Sequence, residues 1–322
     1  MIALLSQRNA LLYKGRDFRW GISKFCLLCE CFHMKMQHQF RGGGYMNKLK
    51  LQNSLYDFLV EDIGDLDVTT DSIFPADVMG EVHMIAKASG VFCGADIIKT
   101  GFAILDANVH VRLFVKDGED IVTGQQLAVI SGSVNSLLKA ERVVLNLVQR
   151  MSGVASLTKE AVRTLDSTHT RITDTRKTTP GLRMLEKYAV QVGGGFNHRY
   201  GLYDGVMIKD NHIAFAGSIM KAVETVRENI GHMVKVEVET ETKEQVLEAV
   251  EAAADIIMFD NQSPEEMKKL LELVPEFITT EASGGIQMEN LASYQNTGVD
   301  YISLGFLTHS YQALDMSMKV II

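Results

Sequence analysis

The chain is expected to adopt an α/β fold in which a small α+β unit leads into a parallel barrel short of the full eight strands. Three observations carry that expectation. Residues 79–131 alternate in polarity and turn often, as an antiparallel sheet does. From Arg171 onward, short apolar strands alternate with helical periods, the mark of parallel βα units. Each later strand also ends in polar chemistry: Asp174 with Arg176 and Lys177, Lys209, Glu237 and Glu239, Asp260 and Asn261, Glu281 and Ser283, Gly305 and His309. A barrel opens all such ends on one face, whereas an open sheet gathers fewer of them at a switch point.

In chain order, residues 1–45 stand apart. They hold seven Lys/Arg against Asp17 and Glu30, a net of +5, so the rest of the chain carries −13 of the total −8. Arg41-Gly42-Gly43-Gly44 reads as a linker. The segment shows no signal-peptide pattern and is expected to be a poorly ordered accessory leader ahead of a start near Met46. Cys26, Cys29, Cys31 and His33 have no second ligand pair at zinc spacing.

Leu49, Leu51, Leu55, Phe58 and Leu59 predict a first amphipathic helix. The acids from Glu61 to Asp67 lack the spacing of a calcium loop and read as a solvated, capped turn. Strands are expected at Met79–Lys87, Val109–Val115 and Gln126–Ile130, with a helix at Ala95–Leu105. From Leu137 a long helical period begins, with Gly153 as a candidate break. This places an α+β domain at 46–150 and a barrel domain at 151–322, whose last strand is free to return to the first domain. In the second half, strands are expected at Arg171–Thr175, Val206–Lys209, Val234–Glu239, Ile256–Asp260, Phe277–Ala282 and Tyr301–Leu304. Helices are expected at Leu182–Gln191, Ser218–Ile230, Lys243–Ala253, Pro264–Val274 and Met288–Thr297.

Apolar residues make up 46% and charged residues 22% of the chain, as in soluble globular proteins. No apolar run is long enough to span a membrane. The cysteines form no secreted disulfide framework, so a reducing cytoplasm is expected. Against this acidic background, the forty residues from Asp174 to Ile213 concentrate Arg176, Lys177, Arg183, His198, Arg199 and Lys209 around Gly193-Gly194-Gly195. Cations confined to one stretch suit a small polyanion and not a nucleic acid, which selects a basic face. Glu237 and Glu239 share a strand face by the period of two. With Asp260 they suggest Mg²⁺ or sugar hydroxyls. Ser283-Gly284-Gly285 and Gly305 follow the last strands, where barrels hold phosphate on backbone amides. Arg142, beside Glu141, reads from pattern alone as a solvated helix arginine.

Longer motifs then add to this reading. DTRKTTPGLR, EKYAV, GGGxNHR, IKDNHI, EASGGI and LTHS closely resemble the quinolinate phosphoribosyltransferase family, also called nicotinate-nucleotide pyrophosphorylase (carboxylating), from about Leu49 to Ile322. The resemblance implies a sandwich-like α+β N-terminal domain, an incomplete TIM-like barrel, and a homodimer (or an oligomer of dimers) in which one subunit's N-terminal domain caps its partner's barrel. It implies transfer of phosphoribosyl from phosphoribosyl pyrophosphate to quinolinate with loss of CO2, using Mg²⁺, in NAD biosynthesis. It implies that Arg176, His198, Arg199 and Lys209 hold the quinolinate carboxylates and that Arg142 reaches in from the partner, against the solvated reading. It implies that Lys177, Glu239 and Asp260 face phosphoribosyl pyrophosphate, with Glu239 and Asp260 on the metal, and that Ser283, Gly284, Gly285, Gly305 and His309 hold phosphate. Leu66 stands where the family usually has glycine, and Gln191-Val192 where a basic residue and cysteine are common. Other readings remain open: a molybdenum-transport-associated homologue, a metabolite-binding protein that has lost activity, and an aldolase-like barrel with Lys209 as Schiff base.

Overall fold

The structure, a computed structural model, describes residues 46–320, so the expected leader lies outside the described residues. Helix α1 (Lys48–Ile63) starts where the Asn47 side chain accepts the Leu49 and Lys50 amides at 3.1 Å each. It buries Leu51, Leu55 and Leu59 on one stripe, while Leu49, expected on that stripe, is exposed. Asp67 does more than close a turn: it caps a six-residue helix, α2 (Val68–Ile73), through the Thr69 and Thr70 amides.

Strands β1 (Met79–Ala86), β3 (His110–Leu113) and β5 (Gln126–Ser133) lie in an antiparallel sheet, with β5 between the other two. Val82, Met84 and Ala86 alternate inward from β1. Helix α3 (Ala95–Leu105) buries Ile97, Ile98 and Phe102. Two short strands unforeseen in the sequence, β2 (Gly90–Val91) and β4 (Asp120–Ile121), pair antiparallel with each other. The intervening Asp117 accepts the Gly94 and Ala95 amides at 2.8 and 3.0 Å and so caps α3.

Helix α4 runs from Val134 to Leu165, through the expected domain boundary at 150/151 and through Gly153 without a break. The glycine is required by a close approach. A Cβ there would stand 2.1 Å from the Gln312 carbonyl oxygen, where the C-terminal chain crosses the helix. That crossing is held by Leu314 N–H on the Gln149 carbonyl (2.9 Å) and Gln149 Nε2 on the Met316 carbonyl (2.7 Å). The chain then returns as the last described strand, β12 (Met316–Val320), to pair antiparallel with β1, Met84 opposite Met318.

The remaining strands are β6 (Arg171–Thr173), β7 (Val206–Ile208), β8 (Val236–Thr240), β9 (Ile256–Asp260), β10 (Thr279–Ser283) and β11 (Tyr301–Ser303). They form one parallel sheet in the order β6-β11-β10-β9-β8-β7. Residues of all six line a single cavity, so the sheet curls into a barrel. Its edges, β6 and β7, do not pair. Phe196 bridges Thr173 at the β6 edge, and Arg199 Nη1 reaches the Gly205 carbonyl just before β7 (2.9 Å). A loop thus stands in the seam of an incomplete barrel.

Around the barrel lie α5 (Arg183–Val192), α6 (Asp210–Ala216), α7 (Ile219–Asn229), α8 (Lys243–Glu251), α9 (Pro264–Leu271), α10 (Met288–Leu291) and α11 (Phe306–His309). The helix expected over Met288–Thr297 is shorter, continuing from α10 only as a 3-10 turn at Ala292–Tyr294. Helices α6 and α11 were not anticipated, each being too short to show a period. Among the described residues no helix is long and apolar enough to cross a membrane.

Gly153→Ala inverts the usual helix propensity, in which alanine is favoured over glycine. The added Cβ has only backbone to displace, so the substitution should cost about 1–3 kcal/mol, the usual range for overpacking. Urea unfolding measures it, and an unchanged or raised midpoint would contradict the close approach.

Candidate active site

The site begins at the end of β6. Asp174 is fully buried there and forms an ion pair with Lys187 of α5, also fully buried. Asn197 Nδ2 donates to Asp174 Oδ2 (2.6 Å) and to the Lys187 carbonyl (2.8 Å). The His198 amide donates to Asp174 Oδ1 (2.9 Å), and Lys187 Nζ donates to the His198 carbonyl (3.0 Å). Burial raises the pKa of Asp174 and lowers that of Lys187, and each partner opposes the shift of the other. Two charges so desolvated persist because their remaining hydrogen-bonding groups are satisfied.

The preceding residue, Glu186, holds a second loop. It is buried, and it accepts Arg150 Nε of α4 at 2.9 Å and the Thr179 amide at 3.0 Å. Arg183 then ties the two loops together, donating to Thr178 Oγ1 and to the Tyr200 carbonyl at 2.9 Å each. Neither Glu186 nor Lys187 was singled out from the sequence as part of the site. Their signal was an adjacent Glu-Lys on an otherwise apolar helix face. The tyrosine after them also points inward, Tyr188 donating to Asp117 Oδ2 (2.6 Å) and linking the barrel to the N-terminal domain.

These loops frame a cavity of about 530 Å³ at the C-terminal ends of the strands. Arg176, Lys177, His198, Arg199, Lys209, Glu239, Asp260, Ser283, Gly284 and Gly285 all line it. Gly305 and His309 lie behind Lys177 and are not among its lining residues: a Cβ on Gly305 would meet Lys177 Cδ at 2.9 Å and His309 Nε2 at 3.2 Å. Thr308 Oγ1 donates to the Lys177 carbonyl (2.9 Å), so α11 supports that lysine from below. Arg142 is exposed on α4 and does not line this cavity.

Lys209 and Glu239 form an ion pair across β7 and β8, so the cationic and acidic parts of the cavity abut. Burial and the Glu239 charge raise the pKa of Asp260 on the next strand. Gly284 occupies a left-handed conformation (φ +81), and a Cβ there would stand 2.4 Å from Asn261 Oδ1 and 2.7 Å from Asp260 Oδ1. Glycine is therefore what lets the chain pass close to the acids.

The expectation that Glu237, Glu239 and Asp260 act together is corrected. Only Glu239 joins Asp260 on the cavity. Glu237 lies one layer lower, buried with Glu281 against His198, whose Nε2 is 3.1 Å from Glu237 Oε2 and 3.5 Å from Glu281 Oε1. Barrel interiors fill in layers, and residues two apart on one strand enter different layers. Glu281 was noted only as a strand-end residue. Burial first, then the neighbouring Glu237 charge, pushes its pKa up to about 8. Burial lowers the pKa of His198, Glu237 and Glu281 raise it by more, and the Arg199 amide opposes them by donating to Nδ1 at 2.7 Å, the lone pair a second proton would need.

Two outcomes follow. Lys187→Met leaves Asp174 buried without its cation and should cost about 3–5 kcal/mol in urea unfolding, part of which Asp174→Asn in the same chain should restore. A single-variant loss below about 1 kcal/mol would show that the pair carries no such constraint. For Glu281, the folded pKa of about 8 exceeds its ordinary value of 4.5. Between those values the native state keeps a proton that the unfolded chain has released, so its stabilising contribution is complete below the lower value and is lost as pH rises through the higher one. Glu281→Gln should therefore flatten the fall in melting temperature between the ordinary carboxyl value of 4.5 and a pH of about 8. Parallel curves for the two proteins would contradict the assignment.

Comparison with known proteins bears on what this cavity is for. The quinolinate phosphoribosyl transferase C-terminal domain matches residues 154–319, and the N-terminal domain of the same family matches residues 67–152. The chain is 56% identical over 275 residues to a probable nicotinate-nucleotide pyrophosphorylase [carboxylating] of Bacillus subtilis, covering 85% of this chain and 95% of that one. It is 42% identical to a mitochondrial quinolinate phosphoribosyltransferase [decarboxylating] of Nicotiana glauca, covering 81% and 80% of the two chains. The crystal structure of NadC from Streptococcus pyogenes superposes with a TM-score of 0.83 at 40% identity, over 86% of this chain and 98% of that one. With both halves matched in order and the motifs gathered at one barrel mouth, the chain belongs to the quinolinate phosphoribosyl transferase family.

Proposed function

We propose that the protein transfers phosphoribosyl from phosphoribosyl pyrophosphate to quinolinate, releasing pyrophosphate and CO2 and forming nicotinate mononucleotide for NAD biosynthesis. The observation that carries this is the composition of one cavity: Arg176, Arg199 and Lys209 on one side, Glu239 and Asp260 on the other, and Ser283-Gly284-Gly285 at its edge. The relatives' names supply the reaction class.

Cations placed by two clamped loops can grip the two carboxylates of quinolinate and aim its ring nitrogen, the nucleophile, at the anomeric carbon of the ribose. As pyrophosphate leaves, positive charge develops at that carbon, and the acids of β8 and β9 lie on the same cavity to stabilise it. The backbone at Gly284 and Gly285 can approach phosphate closely. Loss of the 2-carboxylate as CO2 leaves a ring carbanion stabilised by the adjacent quaternised nitrogen; the carbanion then takes a proton from water, so no nucleophilic side chain is needed. His198 closes the cavity wall, and Gly305 and His309 pack behind Lys177, the cation that would face the phosphates.

Glu239 and Asp260 fit Mg²⁺: both offer hard oxygen donors, and the Glu239 charge adds to the cost of ionising Asp260. Bound there, Mg²⁺ would offset charge on the departing pyrophosphate. A Schiff-base role for Lys209 is not supported, since that lysine is 42% exposed and paired with Glu239 instead of desolvated among apolar groups. A reducing cytoplasm suits Cys93, a buried free thiol among the described residues.

The exposed Arg142 supports a homodimer with shared sites, in which this guanidinium enters the partner's cavity. Incubation with quinolinate and phosphoribosyl pyrophosphate should release CO2 and pyrophosphate, with nicotinate failing as acceptor. No product from quinolinate would reject the function. Arg142→Ala and Arg176→Ala homodimers should each lose nearly all activity, as loss of one desolvated contact costs about 2–5 kcal/mol. Exchanging their subunits should restore about one working site per mixed dimer, since that site receives Arg142 from one chain and Arg176 from the other. A mixture as inactive as its parents, after proven exchange, would place Arg142 within its own subunit.

A further inference from the structure

His198 commits every polar group it has to the protein. Its amide and carbonyl are taken by Asp174 and Lys187. Its Nδ1 accepts the Arg199 amide at 2.7 Å. Its Nε2 faces Glu237 Oε2 at 3.1 Å, with Glu281 Oε1 at 3.5 Å. A nitrogen that accepts an N–H keeps its lone pair, so the single ring proton belongs on Nε2, where Glu237 takes it. Arg199, the next residue, lines the cavity and is braced at its far end by Nη1 on the Gly205 carbonyl at 2.9 Å. Glu237 on β8, in ion-pair contact with Nε2, is therefore linked through the imidazole and its Nδ1 hydrogen bond to the backbone of the arginine in the seam of the barrel. Glu237 does not line the strand-end cavity that Arg199 shares with Arg176 and Lys209; it lies lower in the barrel, on the second cavity that Arg199 also borders.

We propose that Glu237 is a positioning residue for acceptor binding: by taking the Nε2 proton it fixes the tautomer of His198, whose Nδ1 then holds the Arg199 backbone in the orientation that delivers its guanidinium to an acceptor carboxylate. Without Glu237 the imidazole is free to carry its proton on Nδ1. Two N–H groups would then face each other across the present 2.7 Å contact, the bond would be lost, and the loop would move. Glu237 is favoured over Glu281 for this role because its oxygen is nearer Nε2. Its other oxygen, Oε1, is buried without a hydrogen-bond partner, so the carboxylate is aimed at the ring and engaged there alone. The proposal rests on reading the cavity as an acceptor-carboxylate site.

Two measurements test it. In steady-state kinetics of the full chain, Glu237→Ala should raise the KM for quinolinate about tenfold, the scale found when a group that orients a liganding residue is removed, with little change in the KM for phosphoribosyl pyrophosphate. Glu237→Gln keeps an acceptor oxygen for Nε2–H and should recover most of that loss. In ¹³C-labelled histidine spectra, with the His198 signal identified by His198→Asn, the wild-type ring should show the Nε2–H tautomer and Glu237→Ala a mixture. The proposal is overturned if both KM values rise together, if the alanine variant keeps the wild-type quinolinate KM, if glutamine does no better than alanine, or if the wild-type ring carries its proton on Nδ1. Should wild-type protein make no product from quinolinate, the functional reading fails, and the tautomer measurement still decides whether Glu237 sets the ring.

Discussion

The buried pair of Asp174 and Lys187 is the constraint on which the site depends. Neither charge touches solvent, and between them the two residues bond the Asn197 side chain and the amide and carbonyl of His198. A flexible glycine-rich loop would otherwise be a poor place for a binding residue, because ordering it costs about 1–2 kcal/mol per residue. Anchoring it to a strand end and a helix moves that cost into folding, so Arg199 is in place before any ligand arrives. The adjacent Glu186 does the same for the loop after Lys177, using Arg150 of the long helix. One turn of α5 therefore sets both walls of the cavity.

The second constraint is charge. Arg176, Lys177, Arg199 and Lys209 crowd one cavity in a protein of net charge −8. Carboxylates are layered beneath and beside them: Glu239 pairs Lys209 at the mouth, and Glu237 and Glu281 flank His198 below. The arrangement keeps cations ready for an anionic ligand without leaving them to repel one another through a low-dielectric interior. It also explains why two carboxylates are tolerated so close together in the core, with one of them holding its proton up to about pH 8.

The N-terminal domain and the barrel are bound as one body by shared elements. Helix α4 begins against the antiparallel sheet and ends under the barrel, and the chain crosses back over it at Gly153 to place β12 beside β1. Arg150 and Asp117 carry this connection into the site, through Glu186 and Tyr188 respectively.

Much was legible in the sequence, because local periods and end-of-strand residues are local signals. The alternation of strands and helices after Arg171, the clustering of polar residues at strand ends and the cationic stretch from Asp174 to Ile213 were enough to place a barrel and its open face. They also identified Arg176, Lys177, Arg199, Lys209, Glu239 and Asp260, which the cavity unites. What required tertiary structure were features set by contacts distant in sequence. Gly153 looked like a helix break because a glycine's own propensity is all a sequence displays; the chain that crosses it lies some 160 residues later. Glu237 looked like the partner of Asp260 because both sit at strand ends; the stagger of layers in the barrel sends it to His198 instead. Lys187 drew no role from the sequence, and only the fold, by burying it against Asp174, made its charge the anchor of the site.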